Sequence, residues 1–111
     1  GYITYSDAAR MCYVATNPNR LKWTSETAPT PAEALNAITG LAAYCAAVDI
    51  HLADGFIVHH VEIDRSPNRV GQDLKRWFMF QGPDRLVFRV DASELELPVV
   101  EDVLVWERVR K

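Results

Sequence analysis

The chain has 111 residues, of which 49% are hydrophobic and 24% charged, and its formal net charge is −3. This composition is typical of a single small globular domain over 1–111 and is too apolar for intrinsic disorder. The acidic balance disfavours nucleic acid as a partner, and no apolar run of about 18 or more residues predicts a membrane helix.

The first part of the chain predicts a β-hairpin, a loop and one helix. Residues 1–6 and 11–16 are rich in β-branched and aromatic types and are joined by the short link 7–10. The segment Thr30-Pro31-Ala32-Glu33 combines an N-cap, a proline at the first helical position and a capping-box glutamate. A helix is therefore expected over about 31–41, with an apolar face that packs against the core, formed by Ala34, Leu35, Ile38, Leu41 and Ala42.

A second hairpin is expected from residues 44–51 and 56–64, joined by the turn 52–55. Pairing His51 with Phe56 places Val48 opposite His59, and period-two geometry then separates the two faces. The outer face receives Asp49, His60 and Glu62. The interior receives the apolar set together with one histidine: Tyr44, Ala46, Val48, Ile50, Ile57, His59, Val61 and Ile63, with Tyr44 opposite Ile63.

A third hairpin is expected from residues 73–81 and 85–91, and a last strand from about 100–109. Pairing Phe78 with Phe88 and Arg76 with Val90 gathers an apolar interior around one arginine. Trp77 and Met79 then point outward. Seven strands with short turns and one helix favour a mainly β fold, an up-and-down antiparallel barrel, over a sandwich.

Two polar residues, His59 and Arg76, fall in this apolar interior, where each needs partners. His59 is either a core histidine bonded to a backbone carbonyl or a tyrosine, or a residue that contacts a ligand or transfers protons. Arg76 is either paired with a carboxylate or an anchor for an oxygen of a bound molecule. Apolar walls with a few convergent polar groups are typical of a ligand pocket. The residues that would supply such walls are Tyr44, Val48, Phe78, Phe88 and Trp106.

Other chemistry has no support in the pattern. The chain lacks a Gly-rich phosphate loop and a nucleophile elbow, so no cofactor is expected. His59 and His60 point to opposite faces, and His51 falls on the outer face with His60. At most two histidines could therefore bind the same metal ion, and no metal site is expected. Cys12 and Cys45 lie among apolar residues and predict two reduced, buried thiols in a cytoplasmic protein.

Three stretches of the chain carry a resemblance to a known family: GYITYSDAARM at 1–11, VHHVEIDRSPNRVGQDLKRWF at 58–78 and LVWERV at 104–109. They resemble the opening hairpin, the central stretch and the closing strand of the lipocalin-like domain family, small bacterial and fungal calycin-type proteins. The resemblance implies a β-barrel with a hydrophobic cavity. Residue by residue, the family's central histidine falls on His59, its Pro-Asn on Pro67 and Asn68, its glycine on Gly71 and its arginine on Arg76.

The chain departs from the family pattern in three places. Arg69 stands where the family usually has an aromatic residue, and Ala8-Ala9 replace a Gly-containing turn. The family's first strand, a Gly-x-Trp segment whose tryptophan packs near an arginine matching Arg108, has no counterpart here. The resemblance therefore implies an open seam, which we expect to be covered by a second subunit in a homodimer or by segment 92–100.

The sequence favours a small-molecule binding protein that directs the polar or anionic end of a mostly apolar or amphipathic ligand at His59 and Arg76. The alternative is a small enzyme, an isomerase, cyclase or hydrolase of an aromatic, polyketide-like or terpenoid substrate. In that enzyme His59 would be the general acid or base and Arg76 would stabilise an enolate. A third hypothesis is an assembly role through the outward Trp77 and Met79.

Overall fold

A computed structural model describes residues 1–90 and 103–110 of the chain. It contains strands β1 (Tyr2–Ser6), β2 (Arg10–Thr16), β3 (Leu41–His51), β4 (Phe56–Asp64), β5 (Asp73–Phe80), β6 (Arg85–Arg89) and β7 (Val103–Glu107), with helix α1 (Pro31–Thr39) and a 3₁₀ turn (Pro67–Arg69).

The seven strands form one antiparallel sheet in chain order, β1 to β7. The sheet curls into a half-barrel, so the prediction of a mainly β, up-and-down fold is confirmed. Within the described ranges, β1 and β7 each pair on one side only, and a cleft of about 1050 Å³ runs between these edges. The predicted cover from segment 92–100 lies outside the described residues, as does the predicted start of the last strand at residue 100.

The outer face of the first three strands carries a covalent link that the sequence did not predict. Cys12 on β2 lies directly opposite Cys45 on β3, and the two form a disulfide. The prediction of two reduced, buried thiols is therefore wrong. Side chains alternate between the two faces of a strand. Met11 and Tyr13 on β2 point into the core, so Cys12 between them points outward, and its partner Cys45 lies on the same outer face. The cytoplasmic location, which was predicted from free thiols, stays a prediction without that support.

The helix forms for the predicted reason, since Thr30 Oγ1 accepts from the Glu33 N–H (3.2 Å) and Glu33 Oε1 accepts from the Thr30 N–H (2.8 Å). It ends at Thr39, two residues earlier than predicted, because Gly40 caps it and β3 begins at Leu41. The predicted packing of its apolar face is wrong: Leu35 is 63% exposed. Polar contacts hold the helix instead, among them the Arg65 guanidinium bonded to the Ile38 carbonyl (3.2 Å). No helix in residues 1–90 and 103–110 is long and apolar enough to cross a membrane.

The pairing of β3 with β4 follows the predicted register up to a β-bulge. His51 lies opposite Phe56 and Val48 opposite His59, as predicted. Between Ala46 and Cys45 the register shifts, so that Tyr44 pairs with Asp64 and not with Ile63. The predicted interior position of Ile63 is wrong for this reason, and its side chain is 67% exposed.

The third hairpin and the last strand complete the interior. Phe78 lies opposite Phe88 as predicted, and β7 adds Trp106 opposite Leu86. The main core cluster lies on the inner face along strands β2 to β5. It consists of Met11, Tyr13, Ala42, Tyr44, Ala46, Val61 and Leu74. Phe80 remains 62% exposed, because this end of the half-barrel is open. Arg108 is exposed and its Nε lies 3.6 Å from Asp84 Oδ1.

Candidate functional site

A hydrogen-bonded network of three side chains crosses the inside of the half-barrel. His59 on β4 is 1% exposed, and its Nε2 lies 2.8 Å from the Tyr5 hydroxyl on β1. Its Nδ1 lies 2.9 Å from the Tyr44 hydroxyl on β3. The curl of the sheet brings these strands together, since β1 and β4 are not neighbours in it. Of the alternatives for His59, the structure therefore contains the histidine bonded to tyrosine.

Burial governs the protonation of this network. It lowers the pKa of His59 to about 3, and the positive charge of Arg76 acts in the same direction. Burial also raises the pKa of Tyr5 and that of Tyr44. At neutral pH all three groups are uncharged, so the network consists of neutral hydrogen bonds.

Arg76 lies behind the network on β5 and is 6% exposed. Its guanidinium donates to the Lys75 carbonyl (3.1 Å), and its positive charge offsets part of the rise that burial causes in the pKa of Tyr44. The prediction that His59 and Arg76 share the interior is confirmed by their burial. Tyr44, which is bonded to His59, thus also lies in the field of Arg76.

Tyr44 packs against Tyr13 on one side and lies under the guanidinium of Arg69. Its ring centroid lies 5.4 Å from that of Tyr13, which Trp106 meets edge-on at 5.5 Å. The Trp106 Nε1 is buried and has no hydrogen-bond partner among the described residues. Arg69, which replaces the aromatic residue usual in the family, places its guanidinium 5.7 Å from the Tyr44 ring centroid. This distance is within the range of a cation–π contact.

The turn that presents Arg69 depends on the predicted Pro-Asn and glycine positions. Pro67 and Asn68 belong to the 3₁₀ turn, and Gly71 adopts φ +87°, a conformation that favours glycine. The Gly71 N–H donates to the Val61 carbonyl (2.8 Å), which fixes the turn against β4.

An apolar pocket of about 320 Å³ opens beside the network, at the end where β3, β4, β5 and β6 meet β1. Its walls include Val48, Phe78 and Phe88, three of the predicted ligand-contacting residues. Among the described residues, the other predicted ligand-contacting residues do not line this pocket. Tyr44, His59 and Arg76 lie behind its wall, and Trp106 lines the cleft between β1 and β7.

Tyr5 is the member of this network whose orientation the sequence did not resolve. It lines the pocket, and its hydroxyl binds His59. Its strand was predicted, but the sequence of an edge hairpin does not show which of its faces is internal until its pairing with a distant strand is known. Alternation along GYITYS puts Ile3 and Tyr5 on one face of the strand, and either face could be the internal one.

The outer face carries a second histidine cluster. His60 Nδ1 lies 2.6 Å from Asp73 Oδ1, and its Nε2 lies 2.6 Å from Asp49 Oδ2. These contacts, first that with Asp73, raise the pKa of His60. His51 stacks on Phe56 at a centroid distance of 4.4 Å. Across the part of the chain that the structure describes, no group of three or more His, Cys, Asp or Glu is arranged to hold a metal ion.

A family model described as a lipocalin-like domain matches residues 1–109 of the chain. The comparison with curated proteins returned no match, and neither did the comparison with solved structures. The matched range includes Tyr5, Tyr44, His59 and Arg76. The resemblance carried by three short stretches is thereby confirmed over nearly the whole chain.

Proposed function

The chain belongs to the lipocalin-like domain family, and on that premise we propose that it is a small-molecule binding protein. It holds a mostly apolar ligand with a polar or anionic end in the pocket between β1 and the strands β3 to β6. The observation that carries this proposal is the pocket itself, which has apolar walls and is lined in part by Tyr5, the tyrosine bonded to His59.

The size and walls of the pocket support an apolar ligand. Its volume of about 320 Å³ is at the lower end of the range of roughly 300–1000 Å³ that is common for ligand sites. The side chains around it include Ile57, Leu86 and Phe88, which offer dispersion contacts and no hydrogen bonds. A compact one- or two-ring compound, or a short acyl chain, fits such a cavity.

Binding accounts for the pocket better than catalysis by His59 does. A general base works best when its pKa lies near the operating pH, and burial lowers the pKa of His59 to about 3. The imidazole is also bonded at both nitrogens, to Tyr5 and Tyr44, so it has no free position from which to attack a substrate proton. Its surroundings suit a group that orients a hydroxyl.

The test is ligand binding to the purified chain, with two matched tryptophan variants. The probes are anilinonaphthalene sulfonate, dodecanoate and acetylnaphthalene, followed by fluorescence and by the shift in melting temperature. Leu86→Trp fills the pocket and should abolish the shift. Met79→Trp, on the outward face of the same hairpin, should retain it. If no probe raises the melting temperature, or if Leu86→Trp binds as well as Met79→Trp, the proposal fails.

Native mass spectrometry of freshly purified protein adds an independent test of the same proposal. A mass excess that disappears on denaturation would identify a co-purified small molecule. The same spectrum gives the number of subunits. This number tests a second proposal, that another copy of the chain covers the cleft between β1 and β7. A monomer at micromolar concentration would refute the homodimer. Loss of the dimer in Trp77→Ser would move the interface to the outward face, where Trp77 is 46% exposed.

A further inference from the structure

The number of protons in the interior network limits how its hydrogen bonds are arranged. A neutral imidazole has one N–H donor and one acceptor nitrogen, and each tyrosine hydroxyl has one hydrogen to donate. His59 contacts a hydroxyl at each ring nitrogen, Tyr44 at Nδ1 and Tyr5 at Nε2. One tyrosine must therefore donate to His59 while the other accepts from it.

The burial of Tyr44 decides which tyrosine is the donor. Tyr44 is 9% exposed, and its hydroxyl has no acceptor other than His59 Nδ1 among the described residues. If Tyr44 accepted from Nδ1–H, its own buried hydrogen would have no acceptor, which is costly. Tyr44 therefore donates to Nδ1, and the neighbouring positive charge of Arg76 strengthens it as a donor. The hydrogen of the imidazole is then on Nε2, and it is donated to Tyr5.

The remaining hydrogen of the chain belongs to Tyr5. Its hydroxyl accepts from His59 Nε2–H, and His59 is its only hydrogen-bond partner within the described residues. The Tyr5 side chain is 40% exposed and lines the apolar pocket. The O–H is therefore held by one bond and has a hydrogen left for a molecule in that pocket.

The other polar side chains at the pocket already have partners. Ser6 donates to the Arg10 carbonyl (3.3 Å). Arg10 donates to the Ala9 carbonyl (3.2 Å) and pairs with Glu62 at 2.9 Å. Arg76 does not belong to the lining among the described residues. The Tyr5 hydroxyl is thus the polar group that the pocket offers to a ligand.

Resting on the proposed binding function, we propose that Tyr5 donates a hydrogen bond to an uncharged carbonyl-type oxygen of the ligand, and that the series Tyr44–His59, beside the positive charge of Arg76, orients this donor. A ketone, aldehyde, ester or quinone on an apolar ring body meets this requirement. A carboxylate does not, because one neutral donor in an apolar pocket offsets little of the cost of desolvating a full charge.

The experiment uses three probes that share one ring body: acetylnaphthalene, isopropylnaphthalene and naphthoate, titrated calorimetrically at pH 7.5. The ketone should bind about fivefold tighter than the hydrocarbon, as expected for one net hydrogen bond, and naphthoate should bind weakest. In Tyr5→Phe the ratio of ketone to hydrocarbon affinity should fall to about one. In Tyr2→Phe, whose ring is 70% exposed on the same strand, the ratio should be retained.

The outcomes separate this inference from the proposed function. Equal binding of ketone and hydrocarbon by the wild type, a ratio that survives in Tyr5→Phe, or preferential binding of naphthoate would overturn the inference alone. Failure of all three probes to bind would overturn both.

A measurement that does not depend on ligand tests the orientation of the series. Nitrogen-15 NMR of histidine-labelled protein should find His59 with Nε2 protonated and Nδ1 bare. The opposite tautomer would reverse the series and refute the donor role of Tyr5.

Discussion

The buried, neutral state of His59 makes the protein lose stability in mild acid. Burial lowers the pKa of this imidazole to about 3 in the folded chain, whereas in the unfolded chain it has the ordinary value near 6.5. Below pH 6.5 the unfolded state therefore binds a proton that the folded state refuses. The free energy of unfolding falls as the pH is lowered through this window, and the loss is complete only near pH 3.

The size of this effect follows from the two pKa values. At the acid limit the full difference amounts to roughly 5 kcal/mol, a large fraction of the stability of a small domain. Between pH 7.5 and pH 5 the loss that His59 contributes is about 2 kcal/mol, and the raised pKa of His60 offsets part of it in the wild type. Glu33, whose pKa is lowered by hydrogen bonds from Thr30, adds its own loss only below its usual range near 4.5. The interval above pH 5 therefore isolates histidine titration.

Urea unfolding at half-unit steps from pH 8 to pH 5 measures this loss, with His59→Gln and His60→Gln as a matched pair. His59→Gln should be less stable at neutral pH, since it breaks the network, but its stability should no longer fall in mild acid. His60→Gln should keep the fall, because the folded-state pKa of His60 is raised and not lowered. If His59→Gln does not fold, the C2 proton of His59 in the wild type should show no titration down to pH 4.5. A titration of that proton near pH 6.5, or a flat stability profile in His60→Gln, would refute the reasoning.

Three further perturbations test other parts of the structure. His60→Gln should remove stability that the raised pKa supplies below pH 6.5 and that is lost as the pH rises through the folded-state value; an unchanged slope above pH 6.5 would contradict this. Ala9→Gly should stabilise by up to about 1 kcal/mol in urea, because Ala9 has φ 54°, whereas Gly55→Ala at φ 78° should destabilise. Reducing the Cys12–Cys45 disulfide, which spans 33 residues, should cost roughly 3–4 kcal/mol, and no change in urea midpoint would refute a constraining role.

Local patterns predicted the hairpins well. In the pairs around Val48–His59 and Phe78–Phe88, a short turn fixes the register and one apolar face fixes the orientation. The same reasoning failed at Ile63, because a β-bulge adds one residue to β4 and leaves no mark in the alternation. The bulge also sets Tyr44 against Asp64, next to the turn that carries Arg69.

Contacts between elements distant in the chain were beyond local patterns. The disulfide depends on the register of β2 against β3, two strands separated by the loop and the helix. The helix has an apolar periodicity that predicts burial, yet Ile38 is 47% exposed. Hydrogen bonds with the preceding loop hold the helix in place, such as that from the Leu21 N–H to the Asn36 side chain. The bond from Tyr5 to His59 joins residues 54 apart and required the curl of the whole sheet.

The interior network has a physical cost that its position explains. A small domain gains more stability from an apolar interior than from a buried arginine, histidine and phenol, each of which must be desolvated and then bonded in full. Every member of this network reaches a partner except at one end, where the Tyr5 hydrogen has no acceptor among the described residues and the Tyr5 side chain lines the pocket. A purely structural network would be expected to close on itself, with a backbone carbonyl or a second side chain accepting that last hydrogen. That this one ends at a cavity with apolar walls is the reason to regard it as a fixed donor for a bound molecule, and it makes the affinity ratio in Tyr5→Phe the decisive quantity for this protein.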